Sequence, residues 1–234
     1  MANIVTGMRL VIIGLIAVAL AATLTDTSGL VPESMRDIAA YYTFQTNIVC
    51  AAVLVALTWH RFRHTNPPVW VEWGRAFSAV NLVVMGLIYW AIIFPLGTED
   101  GPQMLWVMII SHIVTPLYLG VEYMVVGSRQ PLPLARWWAI AGYAGVWTVV
   151  TVTRSARGDF VPYDHLDPAQ RGWSQILWTV ALHSALLLVV TIVALRWRRW
   201  RSVAEPATSD DLGDPHAEVF VTTPRALSPS RSSA

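Results

Sequence analysis

The sequence has little charge and almost no cysteine. Charged residues make up only 13% of the 234 residues, whereas soluble globular domains usually contain about 25%. The single cysteine, Cys50, excludes an intramolecular disulfide and any site that needs two thiolates. Glycine-rich phosphate loops, HExxH and GxSxG are missing, which excludes the common nucleotide-binding and hydrolase motifs. The main prediction from the sequence therefore includes no metal site and no other cofactor.

Hydrophobic residues, in contrast, make up 55% of the chain and are concentrated in long runs. Each run is close to the roughly 20 residues that a membrane-spanning helix needs. We therefore expect an all-α membrane protein, a bundle of six transmembrane helices. The first run also has features of a cleaved signal peptide, because Arg9 precedes a short apolar core, but we expect a retained helix. The six runs cover approximately residues 8–25, 39–59, 76–97, 103–126, 135–153 and 173–195.

Arginine is distributed unequally between the connections. The connections predicted to lie on one side contain Arg61, Arg63, Arg129 and Arg136, and the last run is followed by RWRRWR (196–201). The positive-inside rule therefore places both termini in the cytoplasm of a multi-pass cell-membrane protein. We expect a transmembrane domain over residues 1–197, with RWRRWR snorkelling into anionic lipid. Residues 198–234 are rich in Ser, Pro and Asp, which predicts a disordered cytoplasmic tail.

Two histidines lie near the middle of predicted helices. His112 is about nine residues, or ~14 Å, from the outer end of the fourth helix, and His183 is about ten residues, or ~15 Å, from that of the sixth. A titratable group at this depth usually faces the bundle interior or a wet cavity. The interpretations that remain open are a hydrogen bond between helices, a general base and a metal ligand.

The outer end of the second helix carries a stripe of small and polar side chains. Thr43, Thr46, Asn47 and Cys50 lie at helical spacing in YYTFQTNIVC. Such residues often serve close helix packing in membranes. The alternative is a polar site, and we then expect the second, fourth and sixth helices to surround an outward-opening cavity.

Three short motifs carry a family resemblance. They are Tyr42-Thr43-Phe44, His112 followed by Pro116 and Glu122, and the loop Val161-Pro162-Tyr163…Leu166-Asp167-Pro168. In this order and topology they resemble the androgen-induced protein family of six-helix membrane proteins, which has many bacterial members. The resemblance covers about residues 8–195. It implies a threonine hydrolase that cleaves fatty acid esters of hydroxy fatty acids, with Thr43 as nucleophile and His112 as base.

The residues add chemistry that fits this implication. A neutral imidazole can take the proton of a threonine hydroxyl, and ester cleavage also needs donors for the developing oxyanion. Asn47 is the candidate donor, and Thr46 and His183 are further candidate substrate-contacting residues. The expected partners are the lipid bilayer and a lipid-ester substrate. We expect no nucleic acid, and the sequence identifies no protein partner.

Two other functions remain open from the sequence. One is a haem-binding redox membrane protein, with His112 and His183 as axial ligands at matching depth. The other is a non-catalytic carrier or structural membrane protein, in which every polar stripe serves packing.

Overall fold

We analysed a computed structural model, which describes residues 2–25, 34–96, 104–126 and 132–204. Every regular element within these ranges is helical. Short helical turns cover Met35–Ile38, Leu134–Arg136, Asp164–Leu166 and Pro168–Arg171. Four of the six long helices in these ranges are continuous, namely α1 (Ala2–Leu24), α2 (Tyr42–Phe62), α5 (Trp138–Ala156) and α6 (Trp173–Ala204). The other two contain a π-helical turn. Helix α3 consists of Val69–Ile88, the π-helical turn Tyr89–Ile93 and a last turn Phe94–Leu96, and helix α4 consists of Leu105–Ile109, the π-helical turn Ile110–Val114 and Thr115–Val125.

Five of these helices are long and apolar enough to cross a membrane, namely α1, α2, α3, α4 and α6. The expectation of an all-helical, multi-pass membrane protein is therefore confirmed. Helix α5 does not reach the same hydropathy, because glycine, threonine and tryptophan interrupt its apolar residues and Arg154 lies near its end.

The position of α5 also differs from that of a full span. Asn81, halfway along α3, donates a hydrogen bond from Nδ2 to the carbonyl of Ile140 in the first turn of α5, at 3.2 Å. Further along α5, the indole of Trp147 donates to the carbonyl of Ala40, which precedes α2. Helix α5 therefore begins about halfway along α3 and covers the half of the bundle that contains the start of α2.

Helix α3 is the centre of the bundle. It packs against α2, α4, α5 and α6, and it is the most buried of the five apolar spans. Its neighbours bury side chains such as Leu54 and Leu119 against it. The elements that hold polar side chains are thus positioned mainly by their contacts with α3.

Helix α3 starts seven residues earlier than its predicted boundary at residue 76, and this places two charges inside the helix. Glu72 and Arg75 are both buried. A hydropathy pattern treats these residues as a loop, because it counts the charge of each side chain without its partner. The partners come from distant parts of the chain.

These partners form a charge network at one end of the bundle, made of Arg9, Glu72, Arg75, Glu122 and Arg198. Glu122 accepts from Arg9 Nη2 at 2.6 Å and from Arg75 Nη2 at 2.5 Å. Glu72 lies 2.5 Å from Arg198 Nη2 and 3.5 Å from Arg75 Nη1. The network ties the starts of α1 and α3 to the ends of α4 and α6.

The predicted snorkelling of the RWRRWR segment is wrong for one of its arginines. Arg198 is 2% exposed and lies over the ring of Tyr123 as well as against Glu72. The buried carboxylate of Glu72 compensates its charge, so this side chain points into the bundle rather than to lipid headgroups. Helix α6 continues to Ala204, seven residues beyond the predicted domain boundary. The remainder of the predicted tail lies outside the described residues.

Candidate functional site

Thr43 and His112 come together at the end of the bundle opposite the charge network. Thr43 lies in the first turn of α2, and its Oγ1 is 3.4 Å from Nε2 of His112 on α4. His112 is two turns into α4, so α2 begins about two turns deeper than α4. The turn Met35–Ile38 covers the space above the start of α2, and Ile38 shares a cavity with both residues.

A local irregularity of α4 positions His112. Pro116 has no N–H, so the carbonyl of His112 cannot form the usual helical hydrogen bond to the residue four positions later. Trp90 replaces it, with its indole Nε1 3.3 Å from this carbonyl oxygen. Trp90 lies in the π-helical turn of α3, and His112 lies in the π-helical turn of α4. Such turns shift a side chain relative to a regular helix and are frequent at functional sites.

Gly86 allows α3 to approach α4 at this point. A Cβ on Gly86 would lie 2.8 Å from the carbonyl oxygen of His112 and 3.4 Å from the ring of Pro116. Real side chains do not reach the first of these distances, so only glycine fits without a shift. The close approach also stacks the ring of Tyr89 on the imidazole of His112, with centroids 4.0 Å apart.

The hydrogen bonds of His112 select one tautomer. Its Nδ1 lies 3.2 Å from the backbone carbonyl of Met108. A carbonyl can only accept, so Nδ1 carries the proton and Nε2 keeps its lone pair. That lone pair faces the Thr43 hydroxyl. The arrangement is that of a nucleophile, a base and a group that orients the base. The 3.4 Å distance is long for a hydrogen bond, as is common in active sites without substrate.

Tyr163 is the third polar group at the site, and sequence reasoning did not assign it a role there. Its hydroxyl is 3.2 Å from Thr43 Oγ1 and 3.4 Å from the Thr43 backbone nitrogen. The backbone N–H donates to the phenol oxygen, which leaves the phenol hydrogen for the Thr43 hydroxyl. The available signal was the Val-Pro-Tyr sequence in the loop between α5 and α6. Gly86, Tyr89 and Trp90 had no comparable signal, because they look like ordinary apolar helix residues.

The Thr43 hydroxyl and the His112 imidazole line a cavity of about 60 Å³, here called the first cavity. This volume holds a reacting group but not a whole lipid. Its walls come from α1, α2, α3 and α4 together with Tyr163, and most of them are apolar. Helix α6 does not line it, so the expectation that α2, α4 and α6 surround one cavity is wrong. The cause is the central position of α3, which separates α6 from α2.

The other predicted residues on α2 are close to Thr43 but are held differently. Thr46 is fully buried, and its hydroxyl donates to the Tyr42 carbonyl at 2.9 Å. Asn47 lines the first cavity, and its Nδ2 donates to the Thr43 carbonyl at 2.8 Å. An amide nitrogen carries two hydrogens, so Asn47 retains one for a bound group. Thr46 serves the helix backbone.

His183 belongs to a different part of the molecule. It lines a larger cavity of about 490 Å³, here called the second cavity, between α3, α5 and α6. Its ring meets that of His165 edge-on, with centroids 5.5 Å apart. Burial, with smaller contributions from the nearby His183 and Arg171, lowers the pKa of His165 to about 3. The structure thus pairs His183 with His165. It does not bring His183 to His112, and the two predicted axial ligands share no cavity.

Comparison with known proteins adds no relative to this geometry. No protein-family model, curated protein or solved structure matches the chain.

Proposed function

We propose that the protein is an intramembrane hydrolase of lipid esters, with Thr43 as nucleophile and His112 as general base. The observation that supports this most is the contact between Thr43 Oγ1 and the unprotonated Nε2 of His112. Packing alone would not require a threonine hydroxyl, an imidazole and a phenol around one small cavity. The resemblance to the androgen-induced protein family leads to the same two residues.

In the first step, Thr43 Oγ1 attacks the ester carbonyl carbon while its proton moves to His112 Nε2. The tetrahedral intermediate collapses when the bond to the alcohol oxygen breaks, and the imidazolium returns the proton to that oxygen. The products are the free alcohol and an acyl-threonine. A water molecule, deprotonated by His112, then attacks the acyl carbon. The bond between the acyl carbon and Thr43 Oγ1 breaks, the imidazolium returns its proton to Oγ1, and the carboxylic acid leaves.

The start of α2 supplies donors for the oxyanion. The first backbone N–H groups of a helix have no partner within the helix, and the helix dipole favours negative charge at this end. The N–H of Thr43 exchanges its long contact with the Tyr163 phenol oxygen for the oxyanion. Tyr163 adds a phenol hydrogen within reach of Thr43. Asn47 adds the second hydrogen of its amide. Groups of this kind that already point at the reacting oxygen commonly contribute about 10²–10³ in rate each.

The apolar walls of the first cavity select the class of substrate. Ile16, Leu20 and Val107 surround the reacting groups, and a charged headgroup buried there would have no counterion among the described lining residues. A neutral ester fits. Because the cavity is small, the acyl chains of the substrate lie between the helices, and the bilayer supplies the substrate.

We further propose that the chain crosses the cell membrane six times, with both termini in the cytoplasm and with the residues before α5 (132–137) completing the crossing that α5 itself covers only in part. The arginine-rich connections support this orientation, and the charge network lies at the same predicted inner end. Reporter domains fused after Ala204 and inserted at Gly158 should then lie on opposite sides of the membrane. Protease protection of both reporters in the same vesicles would contradict the six-span topology.

The chemical proposal is tested by Thr43→Ala, with Thr46→Ala as the matched control one turn away. Purified variants are assayed for cleavage of a neutral long-chain ester and for labelling by a fluorophosphonate probe. We expect Thr43→Ala and His112→Ala to lose both activities, whereas Thr46→Ala retains most of both. Thr43→Ser keeps a hydroxyl at this position, so it should be labelled, unlike Thr43→Ala. Parental ester cleavage by Thr43→Ala would refute the proposal.

A further inference from the structure

The second cavity has the size and lining of a separate binding site, and of the residues assigned to the Thr43 chemistry only Tyr163 is among its described lining residues. Its volume of about 490 Å³ lies within the ~300–1,000 Å³ of typical small-molecule sites. Its lining residues run from Trp137, directly before α5, to Val149 within it, which corresponds to a length of about 18 Å at the helical rise. A space of this length suits a single extended chain.

Part of this wall is kept open by small residues of α5. Gly142 and Gly145 line the cavity, and a Cβ on either would meet no atom within 4 Å. Val149 and Leu188 also line it and are 67% and 40% exposed. The cavity therefore opens sideways between α5 and α6, towards the predicted acyl-chain region. A chain can enter from the bilayer by this route.

Two of the polar residues that line the second cavity, both of them histidines, lie together. His165 and His183 meet edge-on, and Nε2 of His183 is buried without a hydrogen-bond partner among the described residues. A buried polar group without a partner is costly, so a ligand that bonds to it is stabilised. Ser184 is adjacent in sequence and lines the same cavity.

The charge of the lining restricts the headgroup. Among the described residues that line the second cavity there is no Asp, Glu, Lys or Arg. Burying a carboxylate or phosphate there would leave it without a counterion, at a large cost. The low pKa of His165 is consistent with an imidazole that stays neutral and carries one donor and one acceptor. A hydroxyl group matches this pair, because it is neutral and both donates and accepts.

We infer that the second cavity binds a neutral single-chain amphiphile with a hydroxyl head, such as a long-chain alcohol or a monoacylglycerol. The hydroxyl bonds to His183 Nε2 beside His165, and the chain lies along the glycine-containing face of α5. This inference does not depend on the proposed hydrolase. It would hold if Thr43 had no catalytic role.

The test uses the full chain in lipid nanodiscs and three photoreactive, alkyne-tagged probes of equal chain length. They are a primary alcohol, its methyl ether and the corresponding carboxylic acid. After irradiation at neutral pH, the labelled residues are mapped by mass spectrometry. We expect the alcohol to label the facing stretches of α5 and α6 most strongly. The ether cannot donate and the acid is charged, so each should label about tenfold less.

Two variants separate the headgroup contact from general chain packing. His183→Phe keeps a ring of similar size but removes the nitrogen, and it should reduce labelling by the alcohol to the level of the ether. Gly145→Leu fills the cavity and should reduce labelling by all three probes. Gly14→Leu, at another glycine with open space around it but on α1, is the matched control and should leave labelling unchanged. Thermal unfolding of each variant verifies that it is folded.

Leucine favours the helix more than glycine does, so we expect Gly145→Leu to fold. Gly142→Leu provides the same test if it does not. Equal labelling by alcohol and ether in the parent protein would mean that ordinary lipid chains fill the cavity, and would overturn the inference. Stronger labelling by the acid, or unchanged labelling in the His183→Phe and glycine variants, would also overturn it.

Discussion

Replacing Glu122 by glutamine should destabilise the bundle more than any single substitution at the Thr43 site. Glu122 accepts from Nε of Arg9 at 3.0 Å and from Nε of Arg75 at 2.9 Å, in addition to the two shorter Nη2 contacts. Its side chain is 2% exposed, and those of the two arginines are 8% and 4% exposed. The substitution keeps the shape but removes the charge, so two buried guanidinium groups lose their shared carboxylate.

The expected magnitude follows from this geometry. Breaking a buried ion pair by removing one partner typically costs about 3–5 kcal/mol, because the other charge remains buried. A matched control is Asp37→Asn, which breaks the ion pair with Arg154 at 3.2 Å. Those side chains are 24% and 20% exposed, and pairs accessible to solvent contribute only about 0–1 kcal/mol.

The assay is reversible unfolding of the purified protein in mixed micelles, followed by circular dichroism during titration with sodium dodecyl sulfate. Glu122→Gln should lower the free energy of unfolding by several times more than Asp37→Asn. Combining Glu122→Gln with Arg9→Met should recover part of the loss, since it removes one of the two uncompensated charges. If Glu122→Gln is within 1 kcal/mol of the parent by this measurement, the network does not stabilise the fold as argued.

Two further predictions concern the site. Gly86→Ala should reduce ester hydrolysis by up to about 100-fold, because the new Cβ must push the His112 carbonyl away from its 2.8 Å position; Gly14→Ala, with open space around it, should retain the parental rate. Tyr163→Phe should reduce kcat by about 10²-fold through loss of the phenol donor. Its control is Tyr143→Phe, which should change kcat little, because the Tyr143 hydroxyl bonds to a glutamine on α2. Steady-state kinetics on one neutral ester tests both, and equal rates in either variant and its control would contradict the assigned role.

The apolar runs predicted the helices well, because a membrane helix needs a continuous length of apolar residues wherever it packs. The start of α3 was missed for a physical reason. Glu72 and Arg75 read as a loop when each charge is counted alone. Their partners are distant in sequence but adjacent in space, because Glu122 is 47 residues from Arg75 and Arg198 is 126 residues from Glu72. Local hydropathy contains no information about such pairing.

The candidate site, too, was predictable only in part. A buried histidine in an apolar run is conspicuous, and the resemblance connected His112 with Thr43. Tyr163 comes from a loop, and no periodicity places a loop residue over a particular helix end. The contribution of Gly86 depends on how closely two helices approach, which becomes visible only once both are in place. The predicted pairing of His183 with His112 was wrong for another reason. The two histidines lie at equal predicted depth, but α3 lies between them.

The two polar ends of the bundle explain why the Thr43 site can be built from groups on separate helices. Thr43 and His112 lie on α2 and α4, which are linked through α3 and not by a shared loop. At the opposite end, the carboxylate of Glu122 binds α4 to α1 and α3. Near the site, Gly86 and the bond from Trp90 to the His112 carbonyl bind α4 to α3 again. Helix α4 is thus held to its neighbour at two levels, and neither level uses the Thr43 hydroxyl or the Nε2 lone pair. Those two atoms remain available for chemistry because other groups supply the structural contacts.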